Sequence, residues 1–75
     1  MLTIRFNHHD GDGYKTYACR AYRVSNGETE ANVVMEFADG EQHEVQVGDN
    51  TPFGIAYVTN GDSRTIDVIR GNLSA

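Results

Sequence analysis

The densest group of chemistry-bearing side chains in this sequence is His8-His9-Asp10-Gly11-Asp12. Imidazoles and carboxylates so close together could bind a divalent cation, with nitrogen favouring zinc or nickel and oxygen favouring calcium or magnesium. The spacing works against a dedicated site. Adjacent histidines on an extended segment point to opposite sides, and only His43 remains elsewhere to complete a ligand set. The Asp10-x-Asp12 pair opens like a calcium loop, but Tyr14 stands at the next oxygen position. Lys15 replaces the turn glycine and Ala21 the closing acid. The expectation is a solvated, glycine-rich turn with no metal and no other cofactor.

Cys19 is the single cysteine. Beside a histidine it could act as a thiolate nucleophile, yet it lies between Ala18 and Arg20 in a strand-like run rather than at a helix N-terminus. A buried, small, hydrophobic role is expected instead. Ser25, Ser63 and Ser74 fall in turns or the tail without an orienting His/Asp spacing. No catalytic residues are assigned, and the chain is read as a non-enzyme. A lone cysteine also forbids an intrachain disulfide, which fits a reducing compartment. With no signal-peptide h-region near Met1 and no long apolar run, a cytoplasmic location is expected.

The strongest candidate for recognition is the stretch holding Tyr14, Tyr17, Arg20, Tyr22 and Arg23, with Lys15 beside them. Tyrosine and arginine bury large areas at protein interfaces while satisfying a polar tip. Strand alternation turns about half of such residues outward, giving a partner-binding patch. The plainer reading is that they cover a sheet face. The carboxylates, among them Glu36, Asp39, Glu41 and Glu44, form a solvated face or a negative patch for a basic partner surface.

These residues must be positioned by a small frame. The chain has 75 residues, 39% of them apolar, and a net charge of −5. That sign disfavours nucleic-acid backbones and anionic membranes as partners. One small domain, residues 1–75, is expected. Asn26-Gly27, Asp39-Gly40 and Asn60-Gly61 are dipeptides suited to hairpin turns, each flanked by β-rich sequence. Alternation between them predicts six strands, at 2–7, 14–24, 31–38, 42–47, 53–59 and 64–70. Leu2, Ile4 and Phe6 share one face; so do Val33, Met35 and Phe37, then Val45 and Val47, then Phe53, Ile55 and Tyr57. In the last run Ile66 and Val68 stand opposite Ile69. The eleven-residue run 14–24 should bend or carry a bulge that exchanges its faces; a helix there is the competing reading. The fold expected is all-β, a six-stranded antiparallel meander curled into a small barrel or two-layer sandwich.

The segment Ile55-Ala56-Tyr57-Val58-Thr59-Asn60-Gly61-Asp62-Ser63-Arg64-Thr65-Ile66 resembles a strand–turn–strand ending of short bacteriophage proteins. That resemblance covers about a fifth of the chain and implies no functional residue. Proteins of this kind are mostly of unknown role; some inhibit host defences and others are virion accessories. The resulting expectation is a non-enzymatic protein-binding module, pictured as a phage-encoded inhibitor of a host protein that acts by steric occlusion. The alternatives are a virion assembly accessory or a small metal-dependent enzyme. Its partner should be a protein, with neither nucleic acid nor membrane involved, and a thin core favours a homodimer.

Overall fold

The computed structural model describes residues 1–11 and 13–71. Among them are seven strands: β1 (Leu2–His8), β2 (Tyr14–Cys19), β3 (Ala21–Asn26), β4 (Glu30–Glu36), β5 (Gln42–Gly48), β6 (Phe53–Thr59) and β7 (Thr65–Arg70). No helix long and apolar enough to cross a membrane is found among the described residues. The described residues are all-β, with seven strands rather than the six expected. The expected run 14–24 divides at Arg20 into β2 and β3.

That division has a cause in side-chain chemistry. On β2 the odd positions face inward, with Cys19 fully buried and Tyr17 half-buried, whereas on β3 it is Tyr22 that turns in. The faces exchange at Arg20, whose N–H leaves the ladder pattern and donates to the Glu36 carbonyl at 2.9 Å. One continuous run thereby serves two parts of the sheet.

The strand order is β2-β1-β6-β5-β4-β3, with β7 paired to the other side of β6. The β1–β2, β3–β4, β4–β5 and β6–β7 pairs are antiparallel neighbours in sequence, and β1–β6 is an antiparallel pair between distant parts of the chain. A simple antiparallel meander does not form. Between β5 and β6 the chain turns a corner, leaving one parallel bridge, Val47 to Phe53. The sheet is mixed and does not close into a barrel. It folds over one core, with β2-β1-β6-β7 on one side and β3-β4-β5 on the other.

Ile4, Phe6, Cys19, Ala31, Val33, Met35, Val45, Val47, Ala56, Val58 and Ile69 fill that core. The expected apolar faces hold for β1, β4 and β5. They are reversed on the last two strands. On β6 the buried residues are Ala56 and Val58, while Ile55 and Tyr57 lie on the outer side. On β7 Ile69 is buried and Ile66 and Val68 are exposed. Register explains the reversal, because Ile4 opposes Val58 and Phe6 opposes Ala56. Cross-strand neighbours share a face, so large β1 residues leave room only for smaller ones opposite. Ile66 sits at a register shift in the β6–β7 ladder and bulges outward.

The three expected corners are present, but their geometry differs from a two-residue Asn-Gly turn. At the second, Gly40 donates to the Phe37 carbonyl and takes φ +89°, a three-residue loop with its left-handed residue last. The third repeats this form with Ser63 in the left-handed position, φ +63°, donating to the Asn60 carbonyl. Asn60 Oδ1 accepts from the Asp62 and Arg64 N–H groups and braces the loop. At the first corner Gly27 N–H donates to the Glu30 carbonyl, so the turn centres on Glu28-Thr29 rather than Asn26-Gly27.

Gly48 marks the tightest packing. A Cβ there would lie 2.5 Å from the Thr29 carbonyl oxygen and 2.9 Å from the Glu30 Cα, both backbone atoms with little room to move. Gly48→Ala should cost about 2 kcal/mol of unfolding free energy, as overpacking of a tight site does. Ser63→Gly should have the opposite sign. It removes a non-glycine residue from the left-handed region and should stabilise by up to about 1 kcal/mol. Urea denaturation of both variants checks the pair; an unchanged midpoint for Gly48→Ala would refute the close approach.

Candidate functional site

The five residues of the expected binding patch are placed in three different settings. Tyr14 is exposed on the outer side of β2, and Arg23 is exposed on the outer side of β3, in the other half of the folded sheet. Arg20, at the corner, donates to Glu36 Oε2 at 2.9 Å. That hydrogen bond and its charge hold the Glu36 carboxyl below its ordinary range.

Tyr17 and Tyr22 instead occupy the two places where the folded sheet is not joined by backbone pairing. Tyr17 meets Phe6 edge-on at 5.8 Å between ring centroids and lies 5.3 Å from the His43 ring, closing the gap between β2 and β5. Across the other gap, the Tyr22 hydroxyl donates to Asp67 Oδ2 at 2.7 Å and ties β3 to β7. Asp67 Oδ1 accepts the Val68 N–H at 2.9 Å. One carboxylate thus braces the gap and also satisfies an N–H of strand β7. Burial, reinforced by the Asp67 bond, pushes the Tyr22 phenol up to about 12.

The histidine loop serves as a clasp. Because a carbonyl can only accept, the His9 Nε2 bears the proton in its 2.7 Å bond to the Gly48 carbonyl. The His8 ring packs on Phe53 at 4.7 Å. Gly54 accommodates the imidazole of His9, since a Cβ there would lie 2.8 Å from its Nδ1. No group of three or more His, Cys, Asp or Glu side chains able to hold a metal ion is found among the described residues; Asp12 lies outside them, as does Ser74. Cys19 is fully buried in the core, and burial raises its thiol pKa, opposite to what a nucleophile needs.

The outer side of β2-β1-β6-β7 has a character that the local sequence did not disclose. Arg5 on β1 directly opposes Tyr57 on β6 and Thr16 on β2. Its guanidinium carbon lies 5.2 Å from the Tyr57 ring centroid and 5.6 Å from that of Tyr14, within cation–π range of both. No salt bridge joins Arg5 to a carboxylate among the described residues. Val68 opposes Tyr57 on β7 and is 44% exposed, and Ile66 is 50% exposed. A shallow concavity of about 840 Å³ runs over this side, and Arg5 is the one charged side chain lining it. Threonine hydroxyls from Thr3, Thr16, Thr59 and Thr65 surround it. The opposite outer side, on β3-β4-β5, carries Glu30, Glu36 and Glu44 at alternate, outward positions.

Arg5 and Tyr57 were therefore missed, although both alternate outward. Only the β1–β6 pairing brings them together, and they are separated by most of the chain. No protein family, characterised protein or solved structure matches the sequence or fold.

The Tyr22–Asp67 tie has a pH signature. The unfolded phenol ionises near 10 and the folded one near 12, so its contribution is complete below pH 10 and declines as pH rises toward 12. Tyr22→Phe should lose about 1 kcal/mol at neutral pH and show a shallower alkaline decline than the parent. Urea denaturation across that range measures both; equal alkaline slopes would rule out the tie as its source.

Proposed function

We propose that this protein is a non-enzymatic protein-binding module working through the outer side of β2-β1-β6-β7. A single observation carries the reading: Arg5 held between Tyr14 and Tyr57, beside exposed Val68 and Ile66, in a concavity without a carboxylate lining it. Arginine, tyrosine and exposed aliphatic groups are the types that anchor protein interfaces. In a chain of net charge −5, a concavity lined by no carboxylate is a departure from its surroundings. Of the five sequence candidates, this surface keeps Tyr14, while Tyr17 and Tyr22 face inward and Arg23 lies on the other side.

The mode of action that fits a domain of this size is occlusion: it covers a functional surface of its partner without doing chemistry there. The resemblance of residues 55–66 to phage proteins makes a host protein the partner of choice. A virion accessory role is the second reading, supported by the exposed Ile66 and Val68 on β7, apolar groups that a neighbouring subunit could cover.

Affinity capture from the native host's lysate tests the surface by comparison. Arg5→Glu and Val68→Asp should each reduce recovery of the bound protein by about tenfold or more, the loss expected when an interface anchor is removed. Glu44→Lys, on the opposite side, should leave it unchanged. Full recovery with both outer-side variants, or loss with Glu44→Lys alone, would overturn the assignment.

A further inference from the structure

We propose that Arg5 is the receptor for a carboxylate, an Asp or Glu side chain presented by an acidic segment of the bound protein. This rests on the binding surface proposed above and names the chemistry of its occupant. No other side chain lining the concavity is charged. The hydroxyls of Thr3, Thr16 and Thr59 and the two phenol rings offer hydrogen bonds and flat contact area, while Arg5 supplies the charge. A guanidinium presents a planar fork of N–H donors that matches a carboxylate bidentately.

The contrast with Arg20 sharpens the argument. Arg20 has its carboxylate within the chain, at 2.9 Å on Glu36. Arg5 has the Tyr14 and Tyr57 rings within cation–π range and no salt bridge to a carboxylate among the described residues. The side chain is therefore partly ordered before binding, which lowers the entropy lost on docking. Cross-strand placement also fixes its neighbours: Tyr57 lies directly opposite and Tyr14 diagonally.

Phosphate would also suit a guanidinium. A nucleic-acid strand, however, brings many charges toward a chain of net −5 and meets only one arginine in the concavity, too few for backbone tracking. A short acidic peptide segment needs only one such contact.

The test is a backbone-amide NMR titration of the whole protein at physiological salt, where long-range repulsion is screened. The probe is a short acetylated and amidated oligoglutamate peptide, with the oligoglutamine analogue and a thymidine oligonucleotide as comparisons. Saturable shifts clustered at Thr3, Arg5, Thr16, Tyr57 and Thr59 are expected for oligoglutamate alone. They should weaken about tenfold or more in Arg5→Gln and persist in Arg70→Gln, whose arginine lies on the same outer side, on β7, but does not line the concavity. Equal response to oligoglutamine, shifts centred on Arg23 or Arg64, or tighter binding of the oligonucleotide would each overturn the proposal. If oligoglutamate gives no shift while Val68→Asp still abolishes capture, the carboxylate assignment fails and the binding surface stands. If capture is also indifferent to Val68→Asp, both fail.

Discussion

Everything in this fold follows from the exchange of faces at Arg20. A strand shows one side to the core and the other to water, and a single sheet with one apolar side has nothing to cover it. By breaking the ladder between Cys19 and Ala21, the chain sends β2 into one half of the sheet and β3 into the other. The halves can then bury Phe6, Ile4, Met35 and Val33 against one another. The Arg20 N–H, displaced from strand pairing, is satisfied by the Glu36 carbonyl, so the corner leaves no orphan donor. Without that corner, an uninterrupted strand would keep one parity throughout and the core could not be enclosed.

Folding a sheet over on itself leaves margins where backbone groups cannot meet. Side chains with an apolar body and a polar tip suit these margins, because one part must face the core and the other water. Tyr17 and Tyr22 have that form. One packs its ring between Phe6 and His43, and the other reaches Asp67. Two tyrosines that look from the sequence like recognition residues thus hold the margins, and the face left free for recognition is built on a different strand pair.

Much of the strand layout was readable from local signals. Alternation located the strands to within a residue or two, and the Asn-Gly and Asp-Gly dipeptides marked the corners, because these residue types favour sharp reversals of the chain. The corner inside 14–24 was readable too, from a run too long to stay flat. Reversed faces on β6 and β7 were not. Phe53 does pack against the core, on Phe6, but Ile55 and Tyr57 outweigh Ala56 and Val58 in apolar bulk, so hydrophobicity alone points the wrong pair inward. What decides is the β1 partner, whose Phe6 and Ile4 already occupy that space. The same long-range pairing creates the Arg5–Tyr57 contact, so the candidate site was hidden for the same reason. The histidine cluster misleads differently: its composition suggests a ligand set, while His9 is engaged by the Gly48 carbonyl and His8 by Phe53.

The β1–β6 ladder also imposes an order on biosynthesis. Residues 2–8 leave the ribosome before the other strands and find one neighbour at once in β2, but their second neighbour, residues 53–59, emerges only after β3, β4 and β5. Until then the first hairpin has an open backbone edge and bare Ile4 and Phe6 side chains, the kind of surface on which nascent chains aggregate. The β3-β4-β5 hairpins, completed earlier, are available to shelter it from across the corner. Productive folding thus depends on the middle of the chain holding the beginning in reserve for the end.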